Sequence, residues 1–372
     1  MLRVILNFFS SSSSKIYIHD DIQEEILLRL PHESLVTFKR VCKLWYNIIT
    51  SKSFISKHFQ YHSKTTSHNT TFALIFTDIM SMPRLLEPKL VSISSVDGEH
   101  LSRFTKIFTN EKYYTTLPFA LHCNGIVCIP YLLLEESTKN IFFFNPTLRQ
   151  SKIIKGLVGI SNEIGCGFGY DRRRDLYKYI SITILKNTFH YTVHILTLSN
   201  STWKTINVEA DDKNMWIGKY CYGNSVHLNS IIYWVKSKCV VTFDLCDEKF
   251  DMIPFSNEIM EHNYFPFANK KLVVWKDESV VLFVGGVTSV QMWVLVVSNW
   301  SWRKHLIIDA TPFNRLRPLE FWSHEELLML PEDKPIISYN IRTNTIRKLK
   351  IHPCLHFLNL LCKKSLVSVF NN

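Results

Sequence analysis

The sequence has little of what marks loose or repetitive chains: 11 Gly and 13 Pro in 372 residues, too few for wholesale disorder or low complexity. No stretch approaches the ~20 apolar residues that span a bilayer. No acidic residue precedes Asp20. Val4 to Phe9 is too short for a secretory hydrophobic segment, and it leads into Ser10–Ser14 rather than a small-residue cleavage site. Residues 1–15 are read as a disordered tail, with an acid-free organelle transit peptide as the alternative.

Cysteine patterning is equally sparse. Nine Cys are dispersed, and the Cys123/Cys128 and Cys239/Cys246 spacings match no zinc or redox motif. Thiols flanked by apolar residues, as in Ile126-Val127-Cys128-Ile129, behave as small buried hydrophobes, which fits a reducing compartment.

Catalytic and metal patterns are missing too. His190/His194 and His352/His356 lack a third ligand nearby. His324-Glu325-Glu326 is followed by no second His at the zinc-hydrolase spacing. Gly165-Cys166-Gly167-Phe168-Gly169 precedes a strand pattern, not the helix that phosphate binding needs. The reading is no catalytic residue, no metal and no cofactor; a kelch-like propeller enzyme or stand-alone binding module is the alternative.

The formal charge is +11, but the basic residues are scattered. The densest run, Arg172-Arg173-Arg174, is bracketed by Asp171 and Asp175. It reads as a solvated loop rather than a nucleic-acid site.

What is present divides into two textures. Over residues 16–60 the apolar period is helical. Ile22, Ile26, Leu27 and Leu30 share one helix face, Pro31 ends it, and Leu35, Phe38, Val41, Cys42 and Trp45 predict a second helix. Ser51 or Ser53 caps a third, with Phe54, Ile55, His58 and Phe59. Helices this short expose more apolar surface than they bury, so a partner must cover the stripe. Residues 61–70 are polar and read as a linker.

From residue 71 to 372 the text is β-rich (13% aromatic) and it repeats. With Asn145, Thr197, Asp244, Val296 and Asn340 taken as equivalent, successive spacings are 52, 47, 52 and 44 residues. Trp203, Phe250 and Trp302 each follow their marker by six residues. Four short strands at this period predict a β-propeller. Five units are legible; residues 71–108, closed by Ser365–Phe370, would make a sixth blade. A large twisted β-sandwich is the alternative.

Asp21-Ile22-Gln23-Glu24-Glu25-Ile26-Leu27-Leu28-Arg29-Leu30-Pro31 and Val41-Cys42-Lys43-Leu44-Trp45, correctly ordered, resemble the two F-box signatures. Ile18-His19 stands where the family usually opens with Leu-Pro, a departure that would weaken docking. The remainder resembles the F-box-associated domain of plant proteins, including the S-locus F-box group. Cys123-Asn124-Gly125-Ile126-Val127-Cys128, Phe144-Asn145-Pro146-Thr147-Leu148-Arg149, Gly167-Phe168-Gly169-Tyr170-Asp171 and Ser365-Leu366-Val367 carry that likeness.

The resemblance implies a non-catalytic substrate receptor of a Skp–cullin–F-box ubiquitin ligase, acting in the cytoplasm or nucleus. Its F-box would bind a Skp-family adaptor and, through it, a cullin scaffold. The β domain would hold a protein target for degradation, with neither nucleic acid nor membrane as partner. The adaptor-facing residues carried over are Ile22, Ile26, Leu27, Leu30, Pro31, Leu35, Phe38, Val41 and Trp45. Phe38 and Trp45 are the expected anchors, and some of the set must pack internally. Trp216, Tyr220, Tyr264 and Phe265 are the expected target-binding aromatics, on loops between blades. The +11 charge favours an acidic target and disfavours basic ribonucleases, so self-incompatibility is a minor reading.

Overall fold

The computed structural model describes residues 18–65, 71–78, 87–94, 102–106, 113–114, 120–133, 139–157, 163–184, 191–208, 225–261, 270–286, 288–313, 315–332, 336–349 and 358–370. The chain divides into two compact units between His62 and Ser63.

The described residues of the helical part hold four helices where the sequence predicts three: α1 (Asp20–Leu28), α2 (His32–Phe38), α3 (Lys43–Thr50) and α4 (Lys52–Thr65), the last running three residues past the unit boundary. His19 caps α1, its ring accepting from the Asp21 amide, and Asp20 and Asp21 in the first turn suit the positive helix end. The expected second helix is broken after Phe38. Cys42 turns to extended backbone and its thiol accepts from the Trp45 amide at 3.5 Å, restarting the chain as α3. Ser51 caps α4, accepting from the Phe54 amide at 3.2 Å. α4 runs through the first five residues of the expected linker.

The second unit is all-β. β1 (Thr71–Asp78), β2 (Glu87–Ser94) and β3 (Ser102–Lys106) begin sheet I. Sheet II has β4 (Tyr113–Tyr114), β5 (Leu121–Cys123), β6 (Ile126–Leu133), β7 (Lys139–Asn145) and β8 (Gln150–Lys155). Sheet III has β9 (Glu163–Asp171), β10 (Leu176–Ile184), β11 (Tyr191–Thr197) and β12 (Thr202–Val208). Sheet IV has β13 (Ser225–Leu228), β14 (Ile231–Val235), β15 (Cys239–Asp244) and β16 (Lys249–Pro254), followed by α5 (Asn257–Glu261). Sheet V has β17 (Lys270–Trp275), β18 (Ser279–Gly285), β19 (Ser289–Val296) and β20 (Ser301–Asp309). Sheet VI has β21 (Leu316–Phe321), β22 (Glu326–Pro331), β23 (Ile337–Asn340) and β24 (Thr345–Lys348). The last strand, β25 (Leu358–Lys363), returns to pair with β1 in sheet I.

Strands β5, β9, β13, β17, β21 and β25 each pack beside the next, and β25 meets β5. The sheets therefore follow one another in a closed circuit, as in a β-propeller, and not in the two stacked layers of a sandwich. Buried clusters fill the gaps between successive sheets: Phe143 with Phe168, Ile182 with Trp234, Phe283 with Phe321. Because both faces of a middle strand are covered, β14, β18 and β19 read as near-continuous apolar runs. Outer strands alternate and carry Lys152, Lys204, Lys249 and Arg303, charges that blunt an exposed edge.

The sequence repeat is one turn used five times. Asn145, Thr197, Asp244, Val296 and Asn340 each pair with the residue five positions on. The fourth position after each marker, Arg149, Ser201, Glu248, Trp300 and Asn344, has φ between 51° and 58°. Asn145, Asp244 and Asn340 stabilise their turns by accepting from two amides each.

The closing element differs from expectation. Residues 358–363 supply the strand of sheet I, whereas Ser365–Phe370 cross sheet II instead. There the Asn145 side chain donates to Ser365 O (3.1 Å) and Val367 O (2.6 Å). Gly125, at φ +82°, lies beneath this segment, and a Cβ there would sit 2.2 Å from Ser365 Cβ. Gly125→Ala combines backbone strain with a clash and is expected to cost about 2–4 kcal/mol in urea unfolding.

Candidate functional site

The helical unit has its own core and an apolar exterior. Leu27, Leu35, Phe38, Trp45, Ile49 and Phe54 are buried. Phe38 and Trp45, expected as anchors, face each other inside with ring centroids 5.4 Å apart and exposures of 5% and 6%. The Trp45 indole N–H donates to Gln23 Oε1 at 2.7 Å, and Gln23 Nε2 donates to Ile18 O at 2.9 Å. That chain of bonds ties the entry of α1 to α3 although Leu-Pro is absent.

The structure thus separates the nine carried-over positions. Leu27, Leu35, Phe38 and Trp45 form the core, and Leu30 is half-buried. Ile22, Ile26 and Val41 are 55%, 44% and 48% exposed, and Pro31 is also exposed. Ile22 and Ile26 stand one turn apart on α1. Tyr46, 53% exposed, was missed by the sequence reading; its place one residue after the inward Trp45 on α3 is the signal that finds it.

In sheets II to VI, antiparallel alternation sends the first and third turns to one end. The strand ends that lead into the second turns and the inter-sheet connections fall at the other. Strand ends flanking Tyr131–Lys139, Glu209–Tyr222 and Ser256–Pro266 all fall at this second end. Trp216, Tyr220, Tyr264 and Phe265 lie outside the described residues. Two polar clusters mark the described part of that end. Glu163 accepts from Lys139 Nζ at 2.6 Å and Ser181 Oγ at 2.8 Å. Lys270, buried over the Phe255 ring at 4.6 Å, donates to Ser237 O at 2.5 Å, and burial lowers its ammonium to about 8.

The first end is tied by charge. Asp171 and Lys178 are fully enclosed and 2.9 Å apart. Arg174 (3.0 Å) and the Cys246 thiol (3.0 Å) also reach Asp171. Burial alone would raise the Asp171 carboxyl; the Cys246, Lys178 and Arg174 hydrogen bonds outweigh it and hold the group well below the usual range. Arg173 pairs with Asp247 at 2.6 Å, so two members of the arginine run serve the joint between sheets III and IV. His194, considered above as a ligand, lies between Thr183 and Thr205 hydroxyls at 3.3 and 3.1 Å. Five Cys are buried as expected, whereas Cys42 is exposed. No helix among the described residues is long and apolar enough to cross a membrane.

Comparison with known proteins assigns both units. Residues 18–57 match the F-box domain, and residues 72–369 match the F-box associated beta propeller domain. An F-box/kelch-repeat protein of Arabidopsis thaliana is 25% identical over 256 residues, 63% of this chain and 64% of that protein. An Arabidopsis F-box protein is 26% identical over 242 residues, 63% of this chain and 58% of its own length. A third Arabidopsis relative, also named for its F-box, is 26% identical over 332 residues, 88% of this chain and 75% of that one. The match spans less than two thirds of the first two relatives. The chain belongs to the F-box proteins that carry an F-box associated β-propeller domain.

Proposed function

We propose that this chain is the substrate receptor of a Skp–cullin–F-box ubiquitin ligase, its helical unit docking a Skp-family adaptor and its β unit presenting a protein target. The observation that carries the reading is the exposed apolar set Ile22, Ile26, Val41 and Tyr46 on a unit that already has a filled core. Covering the open half of four such side chains contributes about 3–6 kcal/mol. An apolar exterior on so small a module is a mark of a docking surface.

The β unit supplies the receptor part. Six blades, with β25 completing sheet I, are supported by the order of the sheets around the circuit. The strand ends that lead into the longer connections fall at the second end, and Trp216, Tyr220, Tyr264 and Phe265 on those connections would meet the target. An acidic target fits the +11 charge. Catalysis belongs to other subunits, and the chain works in the reducing cytoplasm or nucleus.

The test is co-expression with a plant Skp-family adaptor followed by purification on a tag carried by this chain. Stoichiometric recovery of the adaptor supports the reading. A folded chain that recovers none would leave the β unit as an independent binding module.

A further inference from the structure

The helical unit holds a side-chain cluster that adaptor docking does not use. His32 on α2 and His58 and His62 on α4 bring three imidazoles into mutual contact. Ring centroids are 4.6 Å apart for His32–His58, 4.2 Å for His58–His62 and 5.2 Å for His32–His62. His58 and His62 stand at i and i+4 on α4, so both point the same way. His58 is 1% exposed, with Nε2 2.9 Å from Leu30 O in the bend between α1 and α2. Phe54 stacks on one side of it and Tyr61 stands edge-on to His62. This knot joins α4 to the bend that sets α1 against α2.

Three neutral rings pack well in such a space. A proton on His58 puts a charge where water cannot reach and beside rings that resist a second charge. Burial, the largest effect, lowers His58 to about 4 and also lowers His62. The Leu28 and Leu30 carbonyls on the α1 side pull His62 the other way, as does Leu30 for His58. Of the charged groups nearby, Glu33 on α2 favours the charged form of His62, and Lys57 on α4 is engaged with Glu24 of α1 at 2.9 Å. Among the described residues no three His, Cys, Asp or Glu are placed to share a metal ion.

We propose that His58 and His62, packed against His32, form an acid-sensitive latch within the helical unit, whose protonation releases α4 from the α1–α2 bend while the β unit stays folded. Because the His58 and His62 imidazoles are lowered in the folded chain, the unfolded form binds more protons below the ordinary value. Stability is complete above about pH 6.5 and is lost as pH falls towards 4, the window set by His58. Moving from pH 7 to pH 5 raises the open population about 20-fold from His58 alone. The inference stands whether or not the unit docks an adaptor.

Amide hydrogen exchange of the full chain, followed by mass spectrometry and corrected for intrinsic pH effects, reads this directly. Peptides within Lys52–His62 are expected to open about 20-fold more at pH 5 than at pH 7, while peptides within Leu176–Ile184 keep their protection. In His58→Gln the pH effect falls to a few-fold, and in His58→Gln/His62→Gln it is lost. Protection of α4 that is equal at both pH values in the native chain overturns the latch, even if neither variant folds. Equal loosening of the 176–184 peptides overturns it as well, as does an unchanged pH effect in a folded double variant.

Discussion

Deleting the chain from Lys364 onward is expected to unfold the β unit or leave it without fixed packing, although the deletion spares every described strand. Leu366 and Val369 are 2% and 1% exposed, and Val369 belongs to the core between sheets II and III. Removing two such side chains costs about 3–6 kcal/mol. Asn145, itself fully buried, loses both carbonyls to which it donates, adding about 1–3 kcal/mol for a stranded buried group. The sum rivals the 5–15 kcal/mol that a typical domain has in total. Urea unfolding followed by tryptophan fluorescence checks this. An unfolding free energy within about 1 kcal/mol of the native chain would show that sheet II does not depend on this segment.

Asp171→Ala is expected to cost about 3–5 kcal/mol, because Lys178 then keeps its charge in a site closed to water. Lys178 retains Glu248 at 3.2 Å as partial compensation. Asp171 also accepts from the Arg173 and Arg174 amides, each at 3.0 Å, so its turn loosens too. The variant Asp171→Ala/Lys178→Met removes both charges and should recover a substantial part of the loss, though not the turn. Since the folded carboxyl is held below its unfolded value, this stabilisation is present above the ordinary carboxylate range near pH 4 and disappears as pH falls beneath it. A single variant that unfolds at the native urea concentration would contradict the assignment.

The two-unit plan was legible because each unit writes its own period. The propeller repeat was readable for a specific reason: a four-residue turn demands the same backbone at Arg149, Ser201, Glu248, Trp300 and Asn344, with its outer strand restarting in fixed register. That constraint also places Trp203, Phe250 and Trp302 opposite Leu196, Phe243 and Leu295. The closing strand was misread because Leu358–Lys363 and Ser365–Phe370 are both apolar, and pattern alone does not say which one pairs with β1.

In the helical unit, periodicity located the stripe but not its inner and outer halves. Leu27 and Ile26 are neighbours of similar chemistry, yet one is buried and the other 44% exposed. The break between Phe38 and Lys43 leaves Val41 exposed in the connection and restarts the chain as α3 with Trp45 inward and Tyr46 outward. The Gln23–Trp45 bond, spanning 22 residues, leaves no local signal. Nor does the packing of His32 against α4, which depends on how the α1–α2 bend is folded.

The most direct test of the central claim is the affinity of the purified full chain for a plant Skp-family adaptor, measured by calorimetry beside Ile26→Asp and Trp45→Ala. Ile26→Asp is expected to weaken binding at least ~30-fold, about 2 kcal/mol, with an unchanged melting temperature. Trp45→Ala should lose binding through loss of helical structure, since it empties the core and frees Gln23. Native affinity in Ile26→Asp would contradict the assignment of the exposed α1 face as the docking surface.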